Sequence, residues 1–90
     1  MSDIKREQLG QTPVIVAASH DRFVHACRQL GLNPQTTISG LHSRQLEGLR
    51  PTSVVYVFGW SNNPQAPHIV EVLGRSMAKS QKPVPKFYIE

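Results

Sequence analysis

From Pro13 onward the chain switches between short unbroken apolar runs and longer stretches in which apolar residues recur at helical spacing. Val14-Ile15-Val16-Ala17-Ala18 and Ser53-Val54-Val55-Tyr56-Val57-Phe58 are the unbroken runs, rich in β-branched side chains and lacking the alternation of a sheet wetted on one face. Runs of this kind predict strands buried on both sides, as in a parallel sheet covered by helices. After the first run, Ser19 or Asp21 caps a helix that reaches about Leu30, with Phe23, Cys27 and Leu30 as its apolar stripe and Ala26 beside it. Gly31 then supplies the left-handed position, Leu32 the apolar residue behind it, and Pro34 forbids continuation. Thr36-Thr37-Ile38-Ser39, bounded by Pro34 and Gly40, predicts a short edge strand. Ser43 to Glu47 has room for one or two helical turns with Leu46 inward, closed by Gly48-Leu49 and Pro51. Beyond Ser61-Asn62-Asn63-Pro64, the spacing of Ile69, Val70, Leu73 and Met77 predicts a helix from about Ala66 to Lys79. Val84 to Ile89 reads as a last strand, placed at a sheet edge by Pro85.

The order β-α-β-α-β-α-β, with crossovers long enough for helices, predicts a parallel sheet of about four strands joined by right-handed connections. The doubly buried runs become central neighbours, with Thr36–Ser39 outside the first and Val84–Ile89 outside the second, hence the order 2-1-3-4. The fold class is α/β, a small three-layer Rossmann-like arrangement equal to half of a flavodoxin-like sheet. Residues 1–12 carry only Ile4 and Leu9 as sizeable apolar residues and read as a flexible N-terminal arm; residues 13–90 form a single α/β domain.

Composition narrows the function classes. Ninety residues with 10 Lys+Arg against 6 Asp+Glu, a net charge of +4, suffice for one core and no separate catalytic domain. With 39% hydrophobic and 18% charged residues the chain is globular in character. No apolar run approaches the roughly 20 residues of a membrane helix, and the first residues are polar, so neither a span nor a signal peptide is expected and the cytoplasm is the default location. A single cysteine, Cys27, excludes an internal disulfide and a cysteine-rich zinc site, and its place on the helix stripe makes it a core residue. His20, His25, His42 and His68 have no carboxylate or thiolate partners at metal-ligand spacing, so no metal is expected. Ser19-His20-Asp21-Arg22 stands where a G-x-G-x-x-G would follow the first strand, and no phosphate-loop motif occurs elsewhere. Without paired carboxylates for acid–base work, no catalytic residue and no cofactor are assigned.

In an open parallel sheet, ligands gather beyond the carboxyl ends of the strands where crossovers diverge. The loops arriving there bring Ser19, His20 and Asp21, then Ser39, Gly40 and His42, then Gly59, Trp60 and Asn62. They form a candidate ligand crevice in which helix N-termini offer N–H groups to an anion and Trp60 stacks on a planar group. Serine, aspartate and asparagine serve equally well there as helix caps. Trp60 with Arg44 and Arg50 has the composition of an interface anchor, a second candidate surface. Arg75, Lys79 and Lys82 at helical spacing, with Lys86, make a candidate basic face suited to phosphates, or simply cations near a helix C-terminus.

The segments Val14-Ile15-Val16-Ala17-Ala18-Ser19, Arg28-Gln29-Leu30-Gly31-Leu32, Ser43-Arg44-Gln45-Leu46-Glu47-Gly48-Leu49-Arg50 and Val55-Tyr56-Val57-Phe58-Gly59-Trp60 together resemble a group of small accessory proteins carried by actinobacterial phages such as mycobacteriophages. Those chains pair a V-x-V-A-x-[ST] strand with Gly-Leu helix stops, a Q-L-x-G-L-R turn and a V-x-x-x-G-[TW] strand. The resemblance covers Pro13 to Leu73 and rests on core apolar residues, stop glycines and caps, so it transfers no catalytic residue. It implies a phage-encoded accessory protein of the host cytoplasm. The resulting reading is a non-enzymatic protein that binds a host or phage protein. Its rivals are a nucleotide- or phosphate-binding module at the carboxyl edge of the sheet, and nucleic-acid binding through the basic C-terminal face. A homodimer through the Val84–Ile89 edge is a further arrangement, one that Pro85 opposes.

Overall fold

The two unbroken apolar runs lie side by side in the middle of one all-parallel sheet. The computed structural model describes residues 6–41, 43–78 and 84–89. In it β1 (Pro13–Val16) pairs with β3 (Ser53–Val57), Val14 against Val54 and Val16 against Tyr56. β2 (Ile38–Ser39) flanks β1 and β4 (Lys86–Ile89) flanks β3, which gives the expected order β2-β1-β3-β4. The helices are α1 (Arg6–Leu9), α2 (His20–Gln29) and α3 (Ala66–Ala78), with 3-10 turns at Ser43–Leu46 and Trp60–Asn62.

Both faces of the central strands are covered, which is why their sequences do not alternate. Ile15, Val55, Val57 and Ile89 point to one side and pack with Phe23, Ala26 and Cys27 of α2. Val14, Val16, Val54 and Tyr56 point to the other and pack with Leu46 and with Ile69 and Leu73 of α3. Only the outermost strand alternates: in β4, Phe87 and Ile89 face the α2 side, while Lys86 and Tyr88 are exposed on the α3 side.

The helix ends are built as the sequence indicates. Ser19 caps α2, its hydroxyl accepting from the Arg22 N–H at 3.4 Å. At the far end Gly31 has φ +73°, the Leu32 N–H donates to the Cys27 carbonyl at 2.8 Å and the Gly31 N–H donates to that of Arg28 at 3.3 Å. These two bonds define a Schellman stop.

Three expectations are corrected. Thr36 and Thr37 are not strand: both backbone N–H groups donate to the Asn33 carbonyl, at 3.1 and 2.9 Å, and the Thr37 hydroxyl adds a third bond at 2.7 Å. An Asn33-Pro34 turn captures the threonines before they reach the sheet. Phe58, counted within the doubly buried run, is 75% exposed, because β3 ends at Val57 and Gly59, at φ +86°, turns the chain away. Leu9, counted in the arm, is fully buried, and its carbonyl accepts from the Thr52 and Ser53 hydroxyls at 2.7 Å each. Thr12 adds two further bonds to Thr52, both 2.9 Å, so the stretch from Leu9 to Thr12 is docked against the amino end of β3. Met1 to Lys5 and Lys79 lie outside the described residues.

Candidate functional site

The crevice between the carboxyl ends of β1 and β3 is filled from within the fold. Asn63, 7% exposed, sends its side-chain amide to the Ala17 carbonyl at 3.2 Å and to the Leu41 carbonyl at 3.0 Å. Its Oδ1 accepts from the Gln65 N–H at 2.9 Å, an Asx turn leading into α3. One buried side chain thus ties together the ends of β1 and β3 and the loop after β2. Around it the expected crevice residues hold local structural posts. Ser19 is a helix cap, His20 lies with its ring centroid 6.0 Å from that of Phe23, and Asp21 is exposed in the first turn of α2. Gly40 is buried, donates its N–H to the Ile15 carbonyl, and leaves no room for a side chain, since a Cβ there would stand 2.9 Å from a Val16 methyl. Asn62 is exposed, and His42 lies outside the described residues.

A different surface forms next to it, at the carboxyl ends of β3 and β4. Tyr56 and Tyr88 are register partners on neighbouring strands, so their rings leave the same face of the sheet. They stack at 5.1 Å between centroids with 17° between planes. Trp60, which follows the left-handed Gly59 turn at the strand end, meets Tyr56 at 4.9 Å between ring centroids with 51° between planes. Tyr56 is the buried floor, Trp60 a half-buried wall, Tyr88 an exposed wall (71% exposed), and Phe58 an exposed ring at the rim. Together with Gly59, Ser61 and Ile89 these aromatic residues border an open cavity of about 440 Å³, with no charged side chain among the described residues that line it. Burial, and to a smaller extent the neighbouring Tyr88, push the Tyr56 phenol pKa above its ordinary range.

The arginines expected beside Trp60 are not arranged as one patch with it. Arg50 precedes β3 and borders a different depression with Val72 and Arg75, so the length of β3 separates it from Trp60. Arg44 is exposed on the first 3-10 turn. Trp60 itself packs against the α3-side core, so its truncation would disturb packing as well as surface. Of the basic face, Arg75 is ion-paired with Glu71 one helical turn earlier, Lys86 is exposed on the same face as Tyr88, and Lys79 and Lys82 lie outside the described residues. Cys27 is fully buried, and burial raises its thiol pKa while a hydrogen bond with the Thr37 side chain lowers it by less. Among the described residues no group of three or more His, Cys, Asp and Glu side chains is placed to hold a metal ion, and no helix is long and apolar enough to cross a membrane.

Sequence reasoning missed Phe58, Tyr88 and the floor residue Tyr56. The available signal was alternation: in a strand held at the edge by Pro85, Lys86 and Tyr88 share the face that α3 leaves uncovered. Comparison with family models, curated proteins and solved structures finds no match to this chain.

Proposed function

We propose that the chain is a non-enzymatic binding module that takes a protein partner on the aromatic surface of Phe58, Trp60 and Tyr88. The observation that carries this reading is the pair of large rings, 75% and 71% exposed, set beside a stacked and partly buried aromatic floor. Exposed apolar patches on small soluble domains mark contact sites, and tyrosine and tryptophan dominate the energetics of protein interfaces. Covering the two exposed rings removes on the order of 200 Å² of apolar surface from water, about 5 kcal/mol before the costs of association. The fixed ring stack lowers those costs, since Trp60 and Tyr56 are already ordered. A phage-encoded accessory role in a host cytoplasm, suggested by the motif resemblance, belongs to the same proposal.

The rival small-ligand reading loses support because Asn63 occupies the crevice it requires. Placing a photo-crosslinking residue at Tyr88, with a control at exposed Arg28 on α2, tests the proposal in lysate. A discrete protein adduct from position 88 and none from position 28 is expected. Equal adducts from both positions, or none from position 88, contradict it.

A further inference from the structure

We propose that Arg6–Thr12 forms a strap that opens as a unit while the sheet stays folded, with the Thr52 hydroxyl as its clasp. The strap docks at the amino end of β3 and the aromatic surface lies at the carboxyl end, so the proposal stands apart from the protein-binding reading. Three observations carry it. First, four hydrogen bonds of the strap converge on two neighbouring residues. The Thr52 hydroxyl donates to the Leu9 carbonyl at 2.7 Å and accepts from the Thr12 N–H at 2.9 Å, the Thr52 N–H donates to the Thr12 carbonyl at 2.9 Å, and the Ser53 hydroxyl donates to the Leu9 carbonyl at 2.7 Å. Second, the strap buries little side chain: of residues 7–12, Leu9 alone is buried, Thr12 is half-buried and the rest are exposed, as is Thr52. Its helix α1 is a single turn of four residues, too short to be stable away from the fold. Few buried apolar contacts and hydrogen bonds close to solvent mark a segment that opens below the free energy of global unfolding. Third, the bend of the strap depends on the clasp. The chain passes round Thr52 at Gly10, where φ is +76° and a Cβ would stand 2.7 Å from the Thr52 hydroxyl oxygen. Glycine leaves that conformation as readily as it enters it, so its own backbone preference does not hold the bend once Thr52 lets go. Opening vacates the place of Leu9 in the α2-side core and removes the wall that Gly10, Gln11 and Thr12 give to a cleft of about 460 Å³. Leu32 both lines that cleft and packs against that core, so the strap is a lid over an apolar seat reached from the cleft.

Native-state hydrogen exchange of the full chain in increasing urea, corrected for intrinsic rates, tests the proposal. The Thr12 and Thr52 amides should exchange through one common opening, faster than the amides of Val55 and Val57 in the doubly paired strand β3. Their urea slope should be shallow but not zero, because opening exposes Leu9, while Val55 and Val57 should follow the steep slope of global unfolding. Thr52→Val removes the clasp and leaves the backbone bond from residue 52 to the Thr12 carbonyl chemically intact, so exchange at position 52 should rise about fivefold or more with its slope still shallow. Thr52→Ser keeps the hydroxyl and should keep the wild-type rate. A steep slope shared by the strap and sheet amides, unequal opening free energies for Thr12 and Thr52, or wild-type exchange at position 52 in Thr52→Val overturns the proposal. The wild-type slopes decide the matter even where Thr52→Val fails to fold.

Discussion

Asn63→Ala should be among the most damaging single changes in this chain, although the side chain it removes is polar and sits in a turn. Three hydrogen bonds disappear with it, to Ala17 at 3.2 Å, to Leu41 at 3.0 Å and from the Gln65 N–H at 2.9 Å. At about 0.5–1.5 kcal/mol net for each, and with two carbonyls left facing a site that is 7% exposed, the expected loss is about 2–4 kcal/mol. A domain of this size has a total stability on the order of 5–10 kcal/mol, so a large share is at stake. The corresponding fall in Tm is roughly 8–32 °C, at about 4–8 °C per kcal/mol. Urea unfolding followed by far-ultraviolet circular dichroism gives the loss, with an unchanged slope if the fold is kept. Asn63→Asp keeps the acceptor for Gln65 but turns a negative oxygen toward two carbonyls, so it should cost at least as much at neutral pH and partly recover on acidification. Loss of less than about 0.5 kcal/mol in Asn63→Ala, or a tolerated aspartate, would refute the role given to this side chain.

Further outcomes follow from single features of the fold. Cys27 should react with a thiol-specific disulfide reagent only as fast as the domain opens, because the thiol is fully buried and its ionisation is suppressed by burial; a rapid stoichiometric reaction at neutral pH would contradict this. The raised Tyr56 pKa means that the unfolded chain releases this proton first, so its contribution is complete below the ordinary tyrosine range and is lost as pH rises through that range toward the folded value. Urea midpoints measured from about pH 8 to about pH 11 should therefore fall, and Tyr56→Phe should flatten the fall. Gly10→Ala should destabilise the chain by about 1–3 kcal/mol, since φ is +76° and the new Cβ would stand 2.7 Å from the Thr52 hydroxyl oxygen; a thermal melt equal to that of the wild type would exclude this close approach.

The sheet was legible because its centre is written locally. Val14–Ala18 and Ser53–Val57 have no polar face, Gly31-Leu32 closes α2 where the pattern stops, and handedness then fixes the strand order. What escaped depends on partners distant in sequence or on where a strand lets go. Phe58 is chemically continuous with the run before it, and only the left-handed turn at Gly59 puts its ring into solvent. Thr36 and Thr37 have strand propensity, yet the Asn33 carbonyl offers them a nearer partner. Asn63 sits between Asn62 and Pro64 like any turn residue, and its burial is decided by carbonyls 46 and 22 residues away. The candidate site was half legible: Trp60 stood out as the lone tryptophan, whereas its partners Tyr56 and Tyr88 meet only through the β3–β4 register.

The role of the aromatic surface is tested most directly by nuclease-treated affinity capture with the wild type and the Phe58→Ser, Tyr88→Ser double variant in parallel. Both rings are mostly exposed, so the variant should keep the fold, with a fall in Tm confined to the loss of the Tyr56–Tyr88 stack, about 0.5–1.5 kcal/mol, and an unchanged circular dichroism spectrum is checked in the same preparation. The predicted result is a discrete protein captured by the wild type and lost from the folded variant. Retention of the same protein by the stable double variant would place the contact surface elsewhere and contradict the proposed function.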